Sequence, residues 1–328
     1  MGIIRRRLRP SRPCVLSLTP MNTIVAALDL EAGSDAVLAR AIQLASAHGA
    51  RLIVVHVVEA EQLSNVAASS GRSEDELQDE LKQQALATIE SHLIESGRTR
   101  RTEVHVAFGT PHDVISRLVH ERGADAVVIG PGKGHSLKEK ILGSTADRVV
   151  RTSFAPVLLV KNASTGPYER VVVAVDLSPK SEEAVMGARK LAPEAALQLV
   201  HAVEIPLMFR HAMQRAGTSQ GEIARYRAAR VDNARKELAT FVHALLGGEK
   251  VTARILDGDP GSALVHLSKD GRIDLLVMGS HGHDAISRAL LGSVTQRLLR
   301  ESECDLLIVA THGRGRSGSL RSPAASSY

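Results

Sequence analysis

Two patterns of apolar and polar positions alternate along the chain. Short continuous runs of Val, Ile, Leu and Ala occur at residues 22–29 (NTIVAALD), 52–59 (LIVVHVVE), 124–130 (ADAVVIG) and 156–160, and again at 170–176 (RVVVAVD), 197–204 (LQLVHAVE), 273–279 (IDLLVMG) and 305–309. Between them lie stretches in which apolar residues recur at three and four positions, plainest in 35–48 and 182–191. Longer polar-faced helical stretches cover 74–95 and 222–246. Runs that are apolar throughout, rather than alternating, suit strands buried on both faces. Each half therefore predicts strand, helix, strand, long helix, strand, helix, strand, helix, strand. That order argues for an α/β fold: an open parallel sheet with helices on both faces.

The pattern is a duplication. The runs 22–29 and 170–176 both end in an Asp; 52–59 and 197–204 carry His56 and His201 at the same place. FGTP at 108–111 matches DGDP at 257–260, each opening a helix, and Gly143-Ser144 matches Gly292-Ser293 ahead of the last strand. The offset between equivalents stays between 145 and 149 residues. Such a period over the whole length signals two structural units. The expected division is a basic extension at 1–20, a first domain at 21–162, a linker at 163–169 (NASTGPY at 162–168 holds its Gly and Pro), a second domain at 170–310 and a Ser/Gly/Arg-rich disordered tail at 311–328.

Composition narrows the function. With four Phe, three Tyr and no Trp, the cores must be filled by aliphatic residues, and a base-stacking platform for single strands is not available. The net charge of +5 and a pI near 9.4 suggest nucleic acid at first sight. Yet residues 1–20 and 311–328 hold eight arginines and no acid, more than the whole excess, so the body is mildly acidic. Nucleic acid is not the expected partner. No apolar run reaches the roughly 20 residues of a membrane span. Cys14 and Cys304 make neither a metal spacing nor a disulfide framework, and the expected compartment is the cytoplasm. The first 20 residues lack a clean apolar stretch and cleavage site, so they do not resemble a signal peptide; a start at Met21 is the open alternative.

Ligands of open parallel sheets bind beyond the carboxyl ends of the strands, where strand order reverses. In the second half that rule selects Asp176, then Met278, Gly279 and Gly282, then Gly292, Ser293 and Val294. The spacing is G-x-x-G, nine residues, G-S. Glycines let a backbone approach phosphate oxygens, and a helix opening at Ser293 offers free N–H groups and a positive dipole end to an anion. Asp176 is placed to accept from a ribose or a base. Each feature also has a plain structural reading: Asp176 as a helix cap, Gly279 and Gly282 as a turn, Ser293 as an N-cap. His56 and His201 are expected to be satisfied core residues, and Arg225, Arg227 and Arg230 a solvated helix face. His281, His283 and His312 lack the acid or Cys cluster a metal site needs.

Together, VVVAVDLSPKS, LVHAVE, DGDP and VMGSHGHDAISRALLGSVTQRLLRESECDLLIVA resemble the universal stress protein family, with every landmark in 168–310 and fewer in 21–162. The resemblance implies repeated open five-stranded parallel sheets of the adenine-nucleotide, Rossmann-type class, which bind ATP or a related adenine nucleotide, with Mg²⁺ able to accompany it. By position, Asp176 and Ala202 would touch adenosine, Met278 and Gly279 would line the floor, and Gly282, Gly292, Ser293 and Val294 would hold ribose and phosphates. It also implies that the last strand of each half joins the two into an intrachain pseudo-dimer, and it leaves a homodimer open. The first half keeps Asp29, Gly130, Gly143 and Ser144 but has Lys133 at the second glycine position, so weaker or lost binding is expected there. No Walker A sequence, Mg²⁺-holding carboxylate pair or base–nucleophile pair accompanies the motif. The expectation is a regulatory or protective binding protein with at most slow ATP hydrolysis. A ligand-free scaffold and an adenosine-fold enzyme are the alternatives; the latter needs a Gly/Ser-rich loop where this chain has DLEAGS and DLSPKS.

Overall fold

The computed structural model describes residues 19–31, 33–97, 101–132, 142–163, 166–247, 251–280 and 291–310. The first half runs β1 (Thr23–Leu28), α1 (Ser34–His48), β2 (Arg51–Val58), α2 (Ala60–Ser70), α3 (Glu74–Ser96), β3 (Thr102–Phe108), α4 (Pro111–Glu121), β4 (Ala126–Ile129), α5 (Ser144–Thr152) and β5 (Val157–Leu159). The second repeats it: β6 (Arg170–Ala174), α6 (Pro179–Leu191), β7 (Ala196–Val203), α7 (Leu207–Arg215), α8 (Gln220–Leu246), β8 (Thr252–Asp257), α9 (Pro260–Ser268), β9 (Leu275–Gly279), α10 (Ser293–Glu301) and β10 (Asp305–Val309). The sequence pattern anticipated this order except for the short helices α2 and α7, which precede each long helix. The long helices begin where local chemistry favours it. The Ser73 hydroxyl accepts from the Glu76 N–H, and Ser219 and Glu222 form a reciprocal capping box.

The ten strands form one sheet in the order β3-β2-β1-β4-β5-β10-β9-β6-β7-β8. Every neighbouring pair is parallel except β5 and β10, which meet antiparallel with Leu306 opposite Leu159 and Ile308 opposite Val157. Two parallel five-stranded sheets thus join edge to edge, which removes two exposed edges.

Both faces of the sheet are covered, as continuous apolar runs require. Ile24, Ala26 and Leu28 of β1 point into one core together with Leu38 of α1, Ile89 of α3 and Leu238 of α8. Val25 and Ala27 point into the other, with Leu118 of α4, Val149 of α5 and Leu298 of α10. Each core draws on both halves. Each fully buried Leu or Ile contributes about 1.5–3 kcal/mol.

The seam between the halves also carries a buried polar cluster. Asp305, 1% exposed, accepts hydrogen bonds from the Lys161 N–H (2.8 Å), the Asn162 N–H (3.1 Å) and the Tyr168 hydroxyl (2.6 Å). Arg40 of α1 lies 3.9 Å over the Tyr168 ring and donates to Gly166 O (2.7 Å). Its Nε stands 3.8 Å from the Asp305 carboxylate, too far for a hydrogen bond, so that attraction is coulombic. Lys161 Nζ donates to the carbonyls of Leu299 and Ser302. The stretch around residue 168, expected to be a plain linker, is pinned at both ends. Further along the seam Lys190 pairs with Asp125 at 2.5 Å.

The cluster is one-sided. At the position in α6 equivalent to Arg40 stands Gly187, where an added Cβ would lie 2.7 Å from Val309 Cγ2. Gly→Ala inside a helix ordinarily stabilises by about 1 kcal/mol. Overpacking against a stiff β-branched neighbour costs about 1–3 kcal/mol. Gly187→Ala should therefore lower the urea midpoint; a rise would show that Val309 yields freely.

Candidate functional site

In both halves the first and fourth strands are direct neighbours, β1 with β4 and β6 with β9. The chain leaves β1 and β6 toward one side of its sheet and returns through β4 and β9 on the other, so strand order reverses there. The carboxyl ends of these pairs are the crevices where ligands of open sheets bind.

In the second half the residues at this crevice come from four elements. Asp176 follows β6. Its Oδ1 accepts from the Ser178 N–H (3.0 Å), the Ser178 hydroxyl (2.5 Å) and the Ser181 hydroxyl (2.6 Å), which closes the turn into α6. Asp29 does the same on a smaller scale, accepting from the Glu31 N–H and the Ser34 hydroxyl. The helix-entry role weighed for Asp176 is thus present; contact with a ligand would be a second duty. Directly after each Asp comes a leucine in the left-handed region, Leu30 at φ 60° and Leu177 at φ 63°. Among the described residues these are the two non-glycine positions with positive φ. Such a conformation costs roughly 1–2 kcal/mol, and it recurs at the same place in both repeats. Both leucines pack against the core that holds Ile24 and Leu38, which helps to hold the turn.

The matched histidines have a clear task. His56 Nδ1 lies 2.9 Å from Leu28 O, and His201 Nδ1 lies 2.8 Å from Val175 O. A carbonyl only accepts, so each ring carries its proton on Nδ1 and ties the second strand to the end of the first.

Ala202, Met278 and Val294 lie on the same face of the sheet: Met278 is buried in the core that holds Val25 and Val149, and Ala202 and Val294 pack against that core half-exposed. Gly279 ends β9, and its carbonyl accepts from the Thr295 hydroxyl at 3.2 Å. Gly292 is the N-cap of α10, with its N–H donated to Ser280 O at 3.1 Å and no side-chain cap on the helix. The first intrahelical bond of this end is Gln296 N–H to Gly292 O. The N–H groups of Ser293, Val294 and Thr295 have no acceptor within the helix. Gly282, His281 and His283 lie outside the described residues, as do His312 and Cys14.

The first half has the same frame. Gly143 caps α5 without a side-chain bond and donates to Pro131 O at 2.7 Å. Here Gly132, at φ 85°, packs directly on Gly143: a Cβ on Gly132 would lie 3.1 Å from Gly143 Cα. That close approach explains two glycines of the loop by packing, and Gly130 adds a third, its Cβ position 3.2 Å from Val37 Cγ2. Ser144 opens α5. Lys133 lies outside the described residues.

Cys304 is buried, and burial pushes its thiol up to about 12, which makes it inert at neutral pH. Sequence reasoning did not register a polar cleft at the opposite, amino-terminal edge of the first sheet, where Asn22, His48, Arg51, Arg101 and Glu103 meet. These residues are scattered singly through the sequence and form no motif.

The family model for the universal stress protein family matches residues 21–161 and again 167–310. The chain belongs to the universal stress protein family. It is a tandem member, with two such domains in one chain. Universal stress protein G of Shigella flexneri is 35% identical over 99 residues, 30% of this chain and 67% of that protein. A universal stress protein of Mycolicibacterium smegmatis aligns over 289 residues at 24% identity, 85% of this chain and 94% of that one. Among solved structures, a universal stress protein from Archaeoglobus fulgidus superposes with a TM-score of 0.62 at 19% identity, covering 89% of this chain and 99% of that one. A protein of unknown function from Pseudomonas aeruginosa PAO1 gives 0.58 at 18% identity, covering 90% and 94%. These likenesses establish the fold and the repeat.

Proposed function

We propose that this universal stress protein binds an adenine nucleotide, ATP or a close relative, in the second half, and that binding serves regulation or protection under stress. The observation that carries the reading is the start of α10. A helix N-terminus with no side-chain cap among the described residues, led by Gly292 and Ser293, opens beside the β6–β9 switch point. There the dipole and the N–H groups of the first turn, which have no acceptor within the helix, favour an anion. In this reading Ser293 and Val294 hold phosphate, with Gly282 and Gly292 giving the backbone close access. Asp176 and Ala202 face the adenosine, and Met278 and Gly279 form the floor. Mg²⁺ would arrive with the phosphates. We read the chain as a binder rather than a catalyst, acting in the cytoplasm. In the first half Asp29, Gly130, Gly143 and Ser144 keep the frame, and Lys133 replaces a glycine, so binding there is weaker or lost.

One observation favours a second reading, a scaffold without ligand. The polar side chains at the crevice already serve the fold: Asp176 closes a turn and His201 ties two strands. Thermal unfolding of the full chain separates the two. A ligand that binds only the native state at a hundred times its Kd stabilises it by about 2.7 kcal/mol. Millimolar ATP should raise the Tm, with GTP weaker. No shift with any adenine nucleotide decides for the scaffold.

A further inference from the structure

We propose that copies of this chain associate end to end, the α2–α3 end of one docking on the α7–α8 end of the next. The two helix pairs are equivalent in the repeat and flank the two outermost strands, β3 and β8, at opposite ends of the ten-stranded sheet. They differ in charge. Residues 60–96, α2 and α3, hold eight acids against two Lys and Arg, whereas residues 207–246, α7 and α8, hold seven Lys and Arg against three acids. Similar shapes of opposite sign at the two ends of one molecule complement each other across copies.

Apolar exposure falls on the same elements. Of the six large apolar side chains exposed among the described residues, Val66 (48%), Ile94 (76%), Met208 (81%), Phe209 (47%) and Tyr226 (38%) lie on these four helices. Only Phe154 lies elsewhere. Among the residues of α7 whose side chains are described, none is buried, although the helix carries Met208, Phe209 and Met213. Phe209 meets Tyr226 of α8 at a tilt, ring centroids 5.8 Å apart, so the apolar patch bridges both helices, and Arg215 lines the same hollow as Met208. Flexible Met and aromatic groups ringed by charge are the composition of an adaptable docking surface. Because the two docking surfaces differ, the contact is heterologous. It generates chains or rings rather than a closed two-fold dimer.

Sedimentation velocity of the full chain tests this. The wild type should sediment faster with rising concentration at low salt. It should return to monomer near 1 M salt, where the screening length is about 3 Å. Asp79→Lys with Glu80→Lys should abolish association, and so should Arg225→Glu with Arg230→Glu. Mixing the two variants should restore it, because one keeps a native basic end and the other a native acidic end. Unchanged melting curves exclude misfolding. A wild type that stays monomeric at low salt overturns the proposal, as does a mixture of variants that fails to associate while the wild type does.

Discussion

Asp305→Ala should destabilise the chain by about 3–5 kcal/mol, the cost of breaking a buried ion pair by removing one partner. The carboxylate joins groups from two stretches of chain distant from it and from each other: the backbone of Lys161 and Asn162 with the nearby Tyr168 hydroxyl, and the Arg40 guanidinium. Alanine leaves Tyr168, itself 4% exposed, without its acceptor, and Arg40, 5% exposed, without its counter-charge. The expected reading is a lower urea midpoint at unchanged slope. Asp305→Asn keeps the shape and an acceptor and should cost less. pH gives an independent check. Burial raises the Asp305 pKa, against the lowering pull of Tyr168, the two backbone N–H groups and Arg40. A raised acid binds its proton more tightly in the native state. Its contribution is therefore fully present below the unfolded-state value and is lost as pH rises through the native value. The stability difference between wild type and Asp305→Ala should show that decline on the acid side; the opposite trend from carboxylates held low, Asp125 and Asp274 among them, is shared by both and cancels. Equal slopes in both would mean that Asp305 titrates as if in water.

Ser293→Asp should cost on the order of a hundredfold in ATP affinity, about 2.7 kcal/mol, while leaving the empty protein as stable or slightly more so. A carboxylate in the first turn of α10 complements the helix dipole by about 0.3–1 kcal/mol. The same charge sits where the phosphates are proposed to lie and repels them. The two effects have opposite signs, so loss of binding cannot be mistaken for loss of fold. Isothermal titration with ATP measures the first and thermal melting the second. Ser144→Asp, at the equivalent position of α5, should leave ATP affinity unchanged if the second half is the binding half. Wild-type affinity in Ser293→Asp would remove α10 from the site.

Much of the architecture was legible because its signals are local or periodic. Runs such as VVVAV between helical stretches suit strands buried on both faces, and the Asp, His and Gly-Ser landmarks recur at nearly one offset. The placement of Gly292 and Ser293 at the head of a helix followed from the same reasoning. Other features gave no local sign. A leucine says nothing of left-handed backbone, yet Leu30 and Leu177 both adopt it. His56 and His201 were visible as a pair, but their bonds to Leu28 O and Val175 O depend on strand register. The short helices α2 and α7 escaped because nine to eleven residues with little buried surface leave a weak periodic trace.

By itself the sequence determined the duplication, the order of strands and helices, and the glycine-and-serine frame at the strand ends, because each depends on residues near one another along the chain. The resemblance also implied that the last strands join the halves, which the β5–β10 pairing bears out; only the tertiary structure decided which side chains meet at that seam. Arg40, Tyr168 and Asp305 are far apart in sequence and meet only once β5 and β10 have paired. Burial then makes their charges and hydrogen bonds matter, since water no longer competes for them.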